Sequence, residues 1–238
     1  MKSLNDSYNV SSIFRFINGY RASSPYPMVR EQIMEQRTEE WFKARLGKVT
    51  ASKVADVLAK TKTGVSASRA NYLSDLVVER LTGQQAEFYQ NDAMAWGTET
   101  EPQARMAYEA FKGVLVDEEG FIDHPSIANF GCSPDGLIGD SGLLEIKCPN
   151  SKTHIDTLLS GKAPSKYIPQ MQTQMAVTGR AWCDFVSFDP RLPEDLQLFV
   201  VRVDRDDEYI ENLEKEVSAF LQEVDETVTK LKGLKNGC

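Results

Sequence analysis

Asp135, Glu145 and Lys147 lie in one short stretch, "CSPDGLIGDSGLLEIKCP", where two carboxylates and an ammonium stand among apolar residues. Side chains alternate along a strand, so Glu145 and Lys147 share one face while Leu144 and Ile146 point into a core. The position of Asp135 depends on the turn. A two-residue loop would pair Ile138 with Glu145 and put Asp135 on the opposite face. A three-residue loop, Asp140-Ser141-Gly142, would pair Leu137 with Glu145 and Asp135 with Lys147, with Gly142 supplying the left-handed residue. In that second register the three charges converge. Carboxylate oxygens of this kind suit a hard divalent cation such as Mg2+, which holds a phosphodiester and activates water. Lys147 beside it would orient or deprotonate that water, or offset charge in the transition state. The plain alternative is a salt bridge on a surface hairpin.

The elements that must position this hairpin are legible in outline. Thr38 can cap a helix ending near Gly47, and Thr50 or Ser52 the next. "SRANYLSDLVVERLTG" carries a helical apolar stripe that stops at Gly83, and a further helix runs from about Trp96 to Lys112. "GVLVDEEGFID", "GLIGDSGLLEIK", "WCDFVSFD" and "LQLFVVRVD" read as strands, and "THIDTLLSGKAPSKYIPQMQTQMAVTG" as helix, loop and helix. The final segment, with Ile210, Leu213, Val217, Phe220, Leu221, Val224 and Leu231 at helical spacing, reads as an acidic amphipathic helix. This order predicts an α/β (α+β) fold, a central mixed β-sheet flanked by helices. Residues 1–33 read as an N-terminal extension and 34–238 as one domain, with Met34 a possible alternative start.

Net charge is -8, yet Asp204 to Glu226 holds ten acidic and two basic residues, so the rest is neutral overall. Lys43 to Arg69 contains seven basic residues against Asp56 alone, a local basic surface. No apolar run suits a membrane span and the N-terminus lacks a signal-peptide layout, so a cytoplasmic protein is expected. The four cysteines and two histidines show no zinc spacing, which favours reduced thiols.

Four blocks, "EEWFKARLGKVTAS", "AWGTETE", "CSPDGL...LEIKCP" and "YIPQMQTQM", together resemble the lambda-type phage alkaline exonucleases, the YqaJ-type viral recombinase branch of the PD-(D/E)xK nucleases. The resemblance spans about Glu35 to Leu231 and implies a restriction-endonuclease-like core. It implies that Asp135, Glu145, the Ile146 backbone carbonyl and Glu101 bind Mg2+, two ions in all, with Mn2+ able to substitute. Lys147 is then the catalytic lysine and Gln170 a glutamine near the active site. Arg45 and Ser52 match positions that hold a 5′-phosphate, where an arginine fork and a hydroxyl at a helix N-terminus suit the chemistry. Met94 matches an apolar wedge at the terminal base pair. Lys62 stands where the family has an arginine near the duplex groove, and lysine lacks the planar fork.

The implied activity is 5′-to-3′ digestion of linear double-stranded DNA, releasing mononucleotides and leaving 3′ single strands for annealing. The implied partners are two further copies in a homotrimeric ring and a phage single-strand annealing protein. The rival readings are a PD-(D/E)xK endonuclease and a non-catalytic DNA-binding recombination protein. The cysteines lack the clustering of an iron–sulfur relative.

Overall fold

In a computed structural model of the chain, which describes residues 34–62, 64–86 and 91–234, the hairpin strand lies at the centre. Strand β7 (Gly142–Lys147) pairs antiparallel with β6 (Gly136–Ile138) and parallel with β8 (Trp182–Phe188), which pairs antiparallel with β9 (Leu198–Asp204). The result is a four-stranded mixed sheet in the order β6-β7-β8-β9. A parallel neighbour requires a crossover, and helices α5 (Ser151–Ser160) and α6 (Ile168–Thr178) supply it between β7 and β8. The period of two sorts β7 cleanly. Leu144 and Ile146 pack with Ala104 and Tyr108 of α4 (Asp92–Lys112), whereas Leu143 packs with Met171 and Met175 of α6. Glu145 and Lys147 therefore share the α6 side, as the alternation predicts.

A second group of elements precedes the hairpin. Helix α1 (Glu39–Arg45) is capped by Thr38, whose hydroxyl accepts from the Trp41 amide at 3.3 Å. Strand β1 (Val49–Thr50) joins β5 (Phe130–Cys132) in parallel, and β4 (Ile122–Asp123) adds to β5 antiparallel. Helix α2 (Val54–Leu58), a small β2–β3 hairpin (Lys60–Thr61, Gly64–Val65) and α3 (Ala67–Thr82) follow, α3 ending on Gly83 as expected. Helix α7 (Asp207–Leu234) closes this group. Its Leu213, Val217, Phe220, Leu221, Val224 and Val228 form one buried cluster with Val54, Val57, Tyr72, Leu76 and Phe130. Among the described residues no helix is long and apolar enough to cross a membrane. Cys132, Cys148 and Cys183 are buried free thiols, and burial pushes Cys148 up to about 12.

Several local expectations change. Of "GVLVDEEGFID" only Ile122 and Asp123 form a strand. Asp117 makes one bridge to Leu137, and the Val116 amide goes to the Glu109 carboxylate at 2.8 Å, which takes that segment out of a ladder. Helix α4 starts at Asp92, four residues before Trp96, because Asn91 caps it through the Met94 amide. Neither Thr50 nor Ser52 caps α2. Thr50 leads into a 3-10 turn, Ala51–Lys53, that contains Ser52. The expected extension over residues 1–33 lies outside the described residues.

The basic stretch is less free than its charge suggests. Lys60 pairs with Glu216, Arg69 with Glu223 and, just beyond it, Arg80 with Asp225, so the acidic face of α7 neutralises part of it. The Arg69 fork is bidentate, at 2.9 and 2.6 Å. A double-mutant cycle of Arg69→Ala and Glu223→Ala, read by urea denaturation, is expected to give a coupling of about 0.5–1 kcal/mol, the upper range for exposed pairs. The coupling should shrink as salt is added. A coupling of zero at low salt would mean that α7 is held by its apolar face alone.

Candidate active site

The hairpin turn is Gly139-Asp140-Ser141, with Gly139 in the left-handed region at φ 51° and Ile138 paired to Gly142. The three-residue length is as expected, but the register is shifted by two. Continuing the ladder places Asp135 opposite Glu145, not opposite Lys147. An even shift keeps every side chain on its face, so the convergence survives. Gly142 is required for a different reason: a Cβ there would come within 2.2 Å of the Trp182 ring. Arg180 fastens the turn by donating to the carbonyls of Gly139 and Gly142, each at 2.7 Å.

Glu145 is fully buried. Its Oε2 accepts from Gln174 Nε2 at 2.7 Å, while its Oε1 faces the Lys147 ammonium in an ion pair and has no directed hydrogen bond. Asp135 Oδ2 accepts from the Ile146 amide at 2.7 Å. Burial, with Glu145 and Glu101 nearby, pushes the Asp135 carboxyl well above the usual carboxylate range, against the opposing pull of Lys147 and the Ile146 amide. Burial alone would lower Lys147, but Glu145 and Asp135 outweigh it and raise its pKa, so the side chain is an ammonium at neutral pH. Its Nζ also sits 5.3 Å from the Tyr167 ring centroid.

Glu101 lies inside α4, one residue before Pro102, and not at a helix start. Its carboxylate is held between two guanidiniums, Arg37 at 2.6 Å and Arg105 at 3.2 Å. Among the described residues, no three His, Cys, Asp or Glu side chains close on a common point. The donor set nonetheless fits a hard divalent cation. It consists of oxygens, Asp135 carries repulsion that a cation would relieve, and the buried Glu145 Oε1 has the Lys147 ammonium as its partner but no directed hydrogen bond.

A cavity of about 500 Å³ has a lining that includes Arg45, Lys48, Ser52, Lys53, Tyr72 and Met94, with the carboxylates of Asp75 and Glu79. Arg45 and Ser52 thus meet in space, and Met94, 40% exposed, stands at the same cavity. Lys48 and Lys53 are paired with Asp123 and Asp56. Arg45 has no such pairing among the described residues. Its guanidinium lies 4.1 Å from the Trp41 ring centroid and donates to the Ser133 hydroxyl at 3.2 Å; Trp41 Nε1 donates to that hydroxyl at 2.9 Å. Burial lowers the Arg45 pKa, against a smaller opposing pull from groups that include Glu79 of the same cavity. Ser52 reaches the cavity from a 3-10 turn, with its hydroxyl 3.3 Å from that of Thr50.

The profile of the YqaJ-like viral recombinase domain matches residues 40–181, more than half of the chain. The chain belongs to this family. An alkaline exonuclease from Laribacter hongkongensis is similar in structure, with a TM-score of 0.79 and 57% identity, covering 84% of this chain and 98% of that one; it is also known in complex with dAMP. A phage-related exonuclease from Haemophilus somnus shares the fold at 17% identity and a TM-score of 0.61, over 77% of this chain and 96% of that one. An uncharacterised protein of Acanthamoeba polyphaga mimivirus is 28% identical over 166 residues, 64% of this chain; the match spans only 29% of that relative's length. The fold is the PD-(D/E)xK core of the alkaline exonucleases.

Within this YqaJ-like domain two expected positions stand apart from the contacts described. Gln170 is half-buried on α6, one turn before Gln174 and on the same face, and it is Gln174 that touches Glu145. Lys62 is exposed at the β2–β3 turn and is not part of the cavity lining. Sequence reasoning missed Gln174, Trp41 and Ser133. The i, i+4 relation to Gln170 could have found the first. The Trp41–Ser133 bond joins residues 92 apart, and nothing local announces it.

Proposed function

We propose that the chain is a Mg2+-dependent exonuclease that degrades the 5′-ended strand of linear double-stranded DNA, releasing mononucleotides and leaving 3′ single strands for annealing. The observation that carries this reading is the tripeptide Ser133-Pro134-Asp135. Ser133 anchors the unpaired Arg45 in its cavity, and Asp135, two residues on, is a carboxylate of the hairpin. Two residues span at most about 7 Å, so the group that holds an end phosphate and the group that serves hydrolysis are locked at a short separation. A site that reads a terminal phosphate and cuts close behind it releases mononucleotides. The dAMP bound by the Laribacter relative is a molecule of that class.

Asp135, Glu145 and the Ile146 carbonyl would hold Mg2+, with Glu101 toward a second ion; when bound, it supplies positive charge to the phosphate oxygens and lowers the pKa of water. Lys147, beside both carboxylates, would orient or help deprotonate the attacking water, or offset charge on the phosphate. Gln174 fixes the Glu145 carboxylate by one oxygen, leaving the other for the site. Arg45 binds the terminal phosphate by its fork, with Ser52 adding a hydroxyl. Lys62 and Met94 are proposed to touch the duplex, and Gln170 to assist next to Gln174. A ring of three copies would hold the enzyme on its duplex without strong contacts per subunit, and the exposed 3′ strand would pass to a phage annealing protein.

The test is digestion of end-labelled linear duplex with and without Mg2+, on 5′-phosphate and 5′-hydroxyl ends, beside a covalently closed circle. Mononucleotides released from the 5′ end only with Mg2+ are expected. Cutting of the circle would replace this reading with an endonuclease.

A stability measurement checks the cation site separately. A carboxyl raised in the folded state binds its proton more tightly there than in the unfolded chain. Its stabilising contribution is complete below the ordinary carboxylate pKa and is lost as pH rises through the folded value. Metal-free wild type is therefore expected to lose melting temperature relative to Asp135→Asn on going from about pH 4 to neutrality. Mg2+ should restore wild type at neutral pH by mass action and leave Asp135→Asn almost unmoved. Equal responses of the two proteins to Mg2+ would remove Asp135 from the cation site.

A further inference from the structure

Arg37 is a non-glycine residue in the left-handed region, at φ 69°, where glycine is the residue without penalty. The turn around it is tied down on both sides. Gln36 Nε2 donates to the carbonyls of Glu119 and Pro134, each at 2.8 Å, and Thr38 Oγ1 donates to the Glu35 carbonyl at 2.8 Å. These bonds hold the backbone without any help from the Arg37 side chain. What the arginine adds is its side chain, 46% exposed, with the guanidinium 2.6 Å from Glu101 Oε2. Glu101 already has an enclosed cationic partner in Arg105, which also pairs with Glu118. A second, solvent-side cation on the same carboxylate is not needed to orient it. An arginine kept in an unfavourable backbone conformation for one outward-facing contact points to a role for its side chain.

We propose that Arg37 is an exchangeable counter-ion of the site. It neutralises Glu101 while no divalent cation is bound, and when the cation takes that carboxylate the guanidinium passes to the phosphate of the bound strand or of its mononucleotide product. A carboxylate cannot serve a guanidinium and a divalent cation fully at once, and a released guanidinium matches a phosphate by two parallel N–H donors. Arg37 is near enough for this because its own turn is bonded to Pro134, the residue before Asp135. The inference rests on the metal-dependent nuclease reading.

The exchange makes two opposite demands on one variant. Mn2+ alone is titrated calorimetrically into full-length wild type and Arg37→Gly, and dAMP is then titrated into each at saturating Mn2+. Arg37→Gly keeps the left-handed turn without strain, so an unchanged or higher melting temperature verifies folding. Loss of a competitor for Glu101 should tighten Mn2+ roughly three- to fivefold, the worth of a partly exposed ion pair, while dAMP should weaken by a comparable factor. A merely structural arginine would weaken both. Arg37→Lys keeps the charge without the fork and should restore wild-type Mn2+ affinity but not dAMP affinity. Any pattern other than tighter cation with weaker nucleotide in Arg37→Gly overturns the exchange. If wild type binds Mn2+ and digests duplex while the variant binds both ligands as wild type does, only this inference fails. If wild type neither binds Mn2+ nor digests duplex, the nuclease reading fails and takes the exchange with it.

Discussion

Lys147→Ala and Glu145→Gln are expected to reduce nucleotide release by roughly 10² to 10⁴, the range for loss of one positioned catalytic group, while duplex binding is retained. The two side chains form one ion pair on the α6 side of β7, so each variant alone should cost nearly as much as the pair together. Glu145→Gln preserves shape but offers the cation a neutral oxygen, and Lys147→Ala leaves a fully buried carboxylate without its ammonium. The second variant therefore also needs a folding check by circular dichroism. Single-turnover release from labelled duplex gives the rate, and gel mobility in Ca2+ gives the binding. Near-normal turnover by folded Lys147→Ala would remove the hairpin from the mechanism.

Arg45→Ala is expected to erase the preference for a 5′-phosphate over a 5′-hydroxyl end. A hydrogen bond to a charged group contributes about 1.5–3 kcal/mol, so the ratio of rates on the two ends should fall roughly ten- to a hundredfold. The loss should appear on phosphorylated ends and leave hydroxyl ends nearly untouched. Trp41→Phe and Ser133→Ala, which remove only the support of the guanidinium, should produce smaller losses with the same selectivity. An unchanged preference in Arg45→Ala would assign the end to another residue of the cavity.

The parts of this site that were legible in the sequence are those governed by short-range periodicity. Alternation put Glu145 and Lys147 on one face of β7, and the end of α3 and the cap of α1 followed from Gly83 and Thr38. What escaped was decided by partners far along the chain. Gly139, not Gly142, takes the left-handed turn, and Gly142 is paired in the ladder, where the Trp182 ring, forty residues away, claims the space a Cβ would fill. Glu101 was legible as a carboxylate near a proline. Its place within α4 depended on Asn91, whose cap lengthens the helix past the tryptophan that marked its expected start. The basic stretch was countable, but which of its charges α7 would cover was not, since Arg69 and Glu223 are 154 residues apart.

That distance also orders events during synthesis. The floor of the Arg45 cavity includes Tyr72, which stacks on Phe220 of α7 with ring centroids 5.6 Å apart, and the Tyr72 hydroxyl accepts from the Thr50 amide two residues before Ser52. Until α7 has left the ribosome, the apolar cluster that α2 and α3 form with Val49 and Phe130 lacks the helix that closes it. The nascent chain then carries its hairpin carboxylates before the packing behind the Arg45 cavity is complete. If this cavity holds a DNA end as proposed, recognition of that end would be the last competence the polypeptide acquires, and an incompletely translated product would be blind to its substrate.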